Sequence, residues 1–341
     1  MTGIMLSLLG RASTVTNVSV DYLVVAGGGS GGCGGAGGAG AGGLLSGTLT
    51  ALLSTAYTLT IGAGGAGVTS NGLAGNNGSA STFSTISPTG GGGGGSVVVS
   101  SGNGKNGGSG GGAWNTGTGG TGISGQGFAG GGGGGSDTFG GGGAGAAATT
   151  VDGANGVVNS ITGTQTSSSS VAIGTGSKTF TVASGLSYSA GQPIRVKYDA
   201  SNYMDGRVTS YSSTSLVVDV RKTLGSGTYS SWSIDYMYAG GGGGQVNVST
   251  VGKGGSGGGG NGGNNANGEA GVANFGGGSG GNGGTGVTTS QNGGSGVVIL
   301  KIPDTRSATF SGGVTQTLVT TGGYKIYRIT AAGVSDTVTF S

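Results

Sequence analysis

One stretch near the start of the chain has the spacing of a nucleotide-binding loop. A strand-like run, residues 20–25, leads into Gly27, Gly29 and Gly32, which match the G-x-G-x-x-G pattern. That pattern holds a pyrophosphate because a helix begins directly after it and points its amino-terminal dipole at the phosphates. Here glycine and alanine continue without a helical pattern, and residues 45–56 contain no acidic residue to bind a ribose. We therefore expect no dinucleotide and no other cofactor.

The side chains that carry most nucleophilic and metal chemistry are scarce. The chain has no His and a single Cys, Cys33. These counts exclude a Cys/His zinc site, an internal disulfide and catalysis by a Ser-His-Asp or Cys-His arrangement. Cys33 sits inside a Gly/Ala run, which favours a small buried residue over a reactive thiol.

Four aspartates in the middle of the chain are the remaining catalytic candidates: Asp199, Asp205, Asp219 and Asp235. A glycosidase would need two carboxyl groups that face each other across a cleft. Asp219 and Asp235 fall on the polar faces of predicted strands, and Asp205 falls in a predicted Asp-Gly turn. Solvated strand faces and turn chemistry explain these residues, so the chain is predicted not to be an enzyme.

Aromatic side chains are the candidate recognition residues. Seven lie between positions 198 and 238, and they fit either a core with cross-strand pairs or a binding surface rich in Tyr and Trp. Trp114 and Phe128 differ because they interrupt glycine runs, where a turn would project them into solvent. The candidates for surface recognition are Trp114, Phe128, Tyr203 and Tyr229.

The charge pattern argues against nucleic-acid and membrane partners. The formal net charge is +3, and Arg221-Lys222 is the only adjacent basic pair, so no basic patch for nucleic acid is expected. No run of 18 strongly apolar residues predicts a membrane span. Residues 4–9 are too short an apolar segment for a signal peptide.

Composition decides the fold class. Glycine accounts for 94 of 341 residues, about four times its usual share. Glycine does not fall at every third position and there are 3 prolines, which excludes collagen. The chain is one third apolar with little net charge, which excludes a charged disordered tail. Alanine-rich pieces are too short and too glycine-flanked to hold a helix.

Changes in composition along the chain predict five regions. The middle one differs most, because its 74 residues contain 10 charged residues and only 7 glycines. The predicted regions are an N-terminal leader (1–18), the first part of a glycine-rich domain (19–164), an inserted small β module (165–238), the second part of the glycine-rich domain (239–303) and a C-terminal β tail (304–341).

The middle region alternates apolar and polar residues with period two, as half-buried strands do. About six short strands are expected, which suits a small antiparallel barrel or sandwich. Asp205-Gly206 is one of the turn signals between these strands. The predicted core residues are Phe180, Val182, Ile194, Val196, Leu216, Val218 and Trp232.

The glycine runs have two possible structures. They are flexible linkers, or they are extended helices of the polyglycine II type that pack side by side. Such a helix makes no internal hydrogen bonds, so neighbouring helices must satisfy each other's backbone groups. The runs are nearly uncharged and alternate with strand-like apolar segments, which favours packing. The predicted fold class is mainly β with packed polyglycine II-type helices, almost no α-helix and the inserted small antiparallel barrel or sandwich.

Several strand-like segments resemble the glycine-rich domain of bacteriophage tail-fibre and adhesin proteins. They are residues 20–45 (VDYLVVAGGGSGGCGGAGGAGAGGLL), 57–67 (YTLTIGAGGAG) and 293–302 (GGSGVVILKI). Residues 322–327 (GGYKIY) and 336–340 (DTVTF) are similar to the β tail that often follows this domain. In the middle region, SKTFTV and NYMDGRV are similar to a small β module of phage tail proteins.

This resemblance implies a protein of the virion surface, on a tail or fibre, in which packed glycine helices carry loops that touch the host. The expected function is a tail-fibre or tail-tip adhesin. The implied partners are other virion proteins and a host-surface glycan or outer-membrane protein, and a homo-oligomer is left open. The alternatives are a purely structural virion component, such as a head decoration or fibre protein, and a non-viral extracellular glycine-rich filament or ice-binding protein.

Overall fold

The computed structural model of the chain describes residues 16–97, 102–133, 138–245, 251–284 and 287–341. Its regular structure is entirely β, and no helix occurs in these ranges, as the composition predicts. The predicted leader, residues 1–18, lies outside the described residues except for its last three. None of the described residues forms a helix long and apolar enough to cross a membrane.

The strands are numbered here in chain order. They are β1 (Asn17–Val25), β2 (Leu44–Leu52), β3 (Ala56–Thr60), β4 (Thr82–Phe83), β5 (Val157–Asn159), β6 (Gln165–Ser167), β7 (Val171–Ala172), β8 (Gly176–Thr181), β9 (Pro193–Lys197), β10 (Tyr203–Ser212), β11 (Ser215–Leu224), β12 (Thr228–Tyr229), β13 (Trp232–Tyr238), β14 (Val297–Pro303), β15 (Ala308–Phe310), β16 (Thr315–Thr321), β17 (Tyr324–Ala331) and β18 (Thr337–Phe340).

A five-stranded antiparallel sheet joins both ends of the chain in the order β16-β17-β14-β1-β2. Its central strands are buried on both faces, because their aliphatic side chains alternate between two cores. Val20 and Val24 belong to one core, whereas Leu23 and Val25 belong to the other. The first core is closed by a four-stranded sheet, β15-β18-β3-β4, with Phe83 edge-on to Phe340 at 6.4 Å between centroids.

The middle region, together with β5 just before its predicted start at residue 165, forms a seven-stranded antiparallel sheet with the path β5-β13-β9-β10-β11-β8, and β6 pairs with β13. All seven predicted core residues are buried in it, and Trp232 packs edge-on against Phe180. The sheet curls into a half-barrel, and its end strands β5 and β8 are not paired with each other within the described ranges. A curled antiparallel sheet is thus the part of the barrel-or-sandwich prediction that the structure confirms.

The predicted turn at Asp205-Gly206 is wrong. Both residues lie inside β10, where the register to β11 shifts between them. Such a shift marks a β-bulge, which uses the same small and polar residues as a turn but keeps the strand running. Asp205 is 2% exposed and pairs with Arg195, so this carboxylate is buried rather than displayed in a turn.

The glycine runs form a packed layer held by backbone hydrogen bonds. In residues 36–43, amides three positions apart donate to carbonyls three positions apart in one neighbouring run. The amides of Ala36, Ala39 and Gly42 bond to Asn282, Ser279 and Gly276 at 2.9–3.1 Å. The amides of Gly37, Gly40 and Gly43 bond to Gly95, Gly92 and Thr89 at 2.8–3.0 Å. The amides of Gly38 and Ala41 bond to Phe139 and Gly142 at 2.9 and 3.0 Å.

The carbonyl groups of residues 36–43 accept hydrogen bonds from three further segments, 26–29, 109–112 and 242–245. Gly112 and Ser109 donate to Gly38 and Ala41, and again both donors and acceptors are three positions apart. Six segments therefore surround this one: 26–29, 89–95, 109–112, 139–142, 242–245 and 276–282. The flexible-linker alternative is excluded for these runs.

Close approach explains why glycine dominates the layer. A Cβ placed on Gly38 would lie 2.1 Å from the carbonyl oxygen of Gly242 and 2.6 Å from that of Gly243. A Cβ on Gly40 would lie 2.2 Å from the carbonyl oxygen of Ser109. Because the obstructing atoms belong to backbone, a side chain can fit only if neighbouring runs move apart and their hydrogen bonds lengthen.

The polar face of the module sheet packs on this glycine layer through charged side chains. Arg207 donates to the carbonyl oxygen of Gly259 at 2.7 Å, and Lys222 donates to that of Gly153 at 3.3 Å. Glu269 accepts from Arg221 at 3.2 Å and lies 3.7 Å from Arg207. Burial and the neighbouring Arg221 lower the pKa of Arg207 to about 10. The layer has few side chains, so its carbonyl groups serve as partners for these cations.

We predict that Gly38→Ala destabilises the fold whereas Gly312→Ala does not. Overpacking against backbone should lower the free energy of unfolding by about 2 kcal/mol, more than the gain of about 0.4–1 kcal/mol from a stiffer unfolded chain. A Cβ on Gly312 meets nothing within 4 Å, so this control should leave the free energy of unfolding unchanged or raise it by up to about 1 kcal/mol. Urea unfolding measures both. Equal stability of the two variants would contradict a tightly packed layer.

We also predict an acid-sensitive contribution from Glu269. Burial raises its pKa, but Arg207 and Arg221 outweigh this and hold the pKa below the ordinary value of 4.5. Ionised Glu269 therefore stabilises the fold above pH 4.5, and this contribution is lost as the pH falls through the lower folded-state pKa. The Glu269 side chain is 43% exposed, so solvent screens its ion pairs. Glu269→Gln should therefore lower the free energy of unfolding by no more than about 1 kcal/mol at neutral pH.

Thermal unfolding of wild type and Glu269→Gln at pH 7 and about pH 3 tests this linkage. The difference should be present at pH 7 and smaller at the acidic pH. Asp304→Asn, which removes an exposed carboxylate outside these ion pairs, is the matched control and should have no effect at either pH. A difference that is equally large at both pH values would contradict the ionic role of Glu269.

Candidate recognition surfaces

Trp114 lies at one end of the glycine layer, which we call the turn end. This end contains turns at residues 33–35 and 70–72. The Trp114 amide donates to Gly102 at 2.8 Å, and its half-buried indole lies beside Gly35, where an added Cβ would stand 3.2 Å from Nε1. Leu73 is at the same end, 46% exposed and bonded to the amide of Cys33.

Cys33 is buried at the turn end, as its sequence context predicts. Its Sγ lies 3.1 Å from the carbonyl oxygen of Val287, and its own carbonyl accepts from Ser96 Oγ at 2.6 Å. Burial raises the pKa of the Cys33 thiol, and the hydrogen bond from Asn282 only partly offsets this. These contacts make Cys33 a packing residue.

Phe128 is 49% exposed but lies towards the opposite end of the layer. Its amide donates to Gly143 at 3.2 Å, and its carbonyl accepts from Gly110 at 2.9 Å. Those segments bond to Ala41, close to where β2 begins, whereas Trp114 lies beside Gly35. The structure therefore does not bring these two candidate residues together.

Tyr203 and Tyr229 lie on the module and belong to separate clusters. The guanidinium of Arg195 covers the ring of Tyr203 at 3.8 Å from its centroid, while both its Nε and Nη2 bond to Asp205. Tyr229 instead stacks on Tyr198, with centroids 4.1 Å apart and an angle of 20° between the ring planes.

The Tyr198–Tyr229 stack is the more exposed of these two clusters. Tyr198 is 45% exposed, and Tyr229 stands edge-on to the buried Trp232 at 5.8 Å. The Tyr229 hydroxyl donates to Ser226 at 3.0 Å, which fixes the ring. A pre-ordered aromatic pair of this kind gives a flat apolar contact surface.

Each aspartate of the module is held by its own partner. Asp205 pairs with Arg195, Asp219 with Arg221, and Asp235 accepts from Thr164 at 2.6 Å. Asp199 accepts hydrogen bonds from the side-chain amide of Asn202 and from the backbone amide of Ser201, and both lower its pKa. No group of three or more His, Cys, Asp or Glu in the described part of the chain is placed to hold a metal ion.

Sequence reasoning missed a cleft of about 560 Å³ between the module and the C-terminal hairpin β16–β17. The module contributes the loop 183–189, and the hairpin contributes Thr317, Thr320 and Arg328. Two tyrosines, Tyr188 and Tyr236, line it with their rings 5.5 Å apart. No spacing along the chain could indicate this cleft, because its walls come from segments far apart in the sequence, such as Tyr188 and Thr317.

The two tyrosines that line the cleft pack against further side chains on the side away from it. Tyr188 packs edge-on against Tyr211 at 5.7 Å, and Tyr236 packs against Phe275 at 6.1 Å. The guanidinium of Arg328 lies over Phe275 at 4.7 Å and donates to the carbonyl oxygen of Asn274 at 3.1 Å. Burial raises the pKa of Tyr188 well above its ordinary value and that of Tyr236 to about 12, so both hydroxyls stay protonated at neutral pH.

Comparison with known proteins identifies the family. No curated protein and no solved structure matches the chain. The glycine-rich domain family matches residues 11–303, which include the glycine layer, its flanking strands and the module. This match covers most of the chain. The protein therefore belongs to the glycine-rich domain family.

Proposed function

We propose that the protein is a structural component of a bacteriophage particle, a tail-fibre or tail-tip adhesin, in which the glycine layer is a rigid scaffold for host recognition. The observation that carries the proposal is the three-residue spacing of hydrogen bonds between runs. A helix of the polyglycine II type has three residues per turn and no internal hydrogen bonds, so it directs its amides and carbonyls outward in three directions. Packed helices of this type account for six neighbours around residues 36–43.

A scaffold of this kind suits a variable attachment protein. Its interior consists of backbone, so turn residues at its edge can change without altering a side-chain core. Trp114 and Leu73 at the turn end, and the Tyr198–Tyr229 stack on the module, are the apolar surfaces such a protein would offer to a receptor. Several copies on one particle would multiply a weak contact into firm attachment. The resemblance of the strand segments to phage adhesins supports the same role.

The second candidate is a purely structural virion protein, and the exposed edge strand β16 favours it. Leu318 and Val319 are 46% and 42% exposed on this edge. An unpaired strand edge with apolar side chains can pair with another chain. In this case β16 would bind a neighbouring virion protein, and the turn end would have no role in infection.

We predict that the purified protein binds the bacterium that its particle infects and competes with the particle for adsorption. Trp114→Ala should weaken binding roughly tenfold, because a half-buried aromatic anchor removed from a contact surface costs that much or more. Val334→Ala, an 88% exposed residue in the C-terminal region, is the control and should bind like wild type. Flow cytometry with labelled protein gives the affinity.

Antibody labelling of intact particles in electron micrographs separates the two candidates. If the antibody labels the tail tip or the fibre ends and the purified protein binds cells specifically, the adhesin proposal is supported. Label on the head, or no binding of wild-type protein to host cells, would contradict it and favour the purely structural role.

A further inference from the structure

The cleft between the module and the hairpin β16–β17 has the chemistry of a ligand site that the proposed function leaves unassigned. Its volume of about 560 Å³ lies within the range of small-molecule sites. The lining contains many hydroxyl and amide groups, and Arg328 is its one charged residue among the described residues.

Several polar groups in this wall have no partner within the described ranges. The Tyr188 and Tyr236 hydroxyls and the side-chain amide of Gln165 make no hydrogen bond there. The Thr162 hydroxyl oxygen is shielded from solvent and also has no partner. A shielded polar atom without a hydrogen bond costs free energy, and a ligand that supplies the missing partner recovers it.

The rings add a second element of recognition. Tyr188 and Tyr236 present half-buried aromatic surface next to their free hydroxyls, and their packing against Tyr211 and Phe275 holds them in place. A sugar has the matching combination, with apolar C–H faces that lie on aromatic rings and hydroxyls around its edge that donate and accept hydrogen bonds.

Other ligand classes fit less well. A nucleotide or a multiply phosphorylated ligand needs several cations, whereas the cleft offers only Arg328, which already bonds to Asn274. A purely apolar ligand would leave the Thr, Ser and Gln groups of the wall without partners.

We infer that this cleft binds a saccharide, an uncharged or singly acidic oligosaccharide of a cell surface, through the rings and hydroxyls of Tyr188 and Tyr236 and the polar groups of Thr162 and Gln165. This inference rests on the proposed attachment role, because it names the receptor chemistry. It adds a sugar-binding cleft, formed jointly by the module and the C-terminal hairpin, to the apolar contacts proposed at the turn end.

The test uses the full-length protein and defined oligosaccharides containing neutral hexoses, N-acetylhexosamines, deoxyhexoses and uronic acids. Saturation-transfer NMR detects binding, and calorimetry gives the dissociation constant. The variants are Tyr188→Phe and Tyr236→Phe, which keep the rings and remove one hydroxyl each. Tyr324→Phe, at the exposed start of β17 and outside the cleft lining, is the matched control. Thr320→Trp places a large ring in the cleft from an exposed position on β16.

We expect wild type and Tyr324→Phe to bind at least one sugar of the panel equally well. Each cleft Tyr→Phe variant should bind it about fivefold or more weakly, because a hydrogen bond to the sugar is lost. Thr320→Trp should abolish binding while its thermal unfolding stays that of a folded protein. Failure of wild type to bind any panel sugar, or binding that is unchanged in both Tyr→Phe variants and in Thr320→Trp, would overturn the inference.

Cell binding distinguishes this inference from the proposed function. If wild type and Thr320→Trp bind host cells equally well, the saccharide cleft is refuted as the receptor site while the attachment role stands. If wild type binds a sugar through the cleft but does not bind host cells, the attachment role is refuted and the sugar site stands.

Discussion

A backbone without side chains must find hydrogen-bond partners for every amide and carbonyl, and this requirement organises the molecule. Water or a regular sheet could satisfy these groups, but the glycine runs satisfy them with one another. Residues 36–43 bond to six other segments, and at glycines such as Gly38 and Gly40 the approach is so close that a Cβ would collide with backbone. The interior of the layer is therefore made of main chain, and its composition follows from distance rather than from hydrophobicity.

Backbone hydrogen bonds alone cannot offset the conformational entropy that such a layer loses on folding, because glycine loses more of it than other residues. The strands at its edge supply the apolar burial. β1 and β14 contribute buried aliphatic side chains to two cores and continue directly into glycine runs at Ala26 and Gly296. Phe275 and Tyr238 place aromatic rings where the layer meets the sheet, stacked at 5.2 Å. Strand and glycine run thus depend on each other along one continuous chain.

The sequence correctly predicted those parts of the fold that leave a pattern in neighbouring residues. Period-two alternation identified the module core, including Phe180 and Trp232, and the uncharged composition indicated that the runs pack. It failed at Asp205-Gly206, because a turn and a bulge favour the same residues. It could not assign run to run either, since every glycine run looks alike and the partners of Ala39 lie as far away as Ser279. The cleft was inaccessible for the same reason: Tyr188 and Thr317 meet only through the tertiary fold.

The charged residues of the module find their hydrogen-bond partners in the glycine layer. On an ordinary sheet, Arg207 and Lys222 would extend into water, but here they donate to backbone carbonyl groups of the glycine layer. A cation bonded to a carbonyl keeps its place without a buried anion, and Glu269 adds the one carboxylate that Arg207 and Arg221 share. These few contacts fix how the module sits on the layer. Since the hairpin β16–β17 is joined to the same layer through β14, they also set the distance between the two walls of the cleft. The polar face that periodicity assigns to solvent thus becomes the joint that positions the candidate binding site.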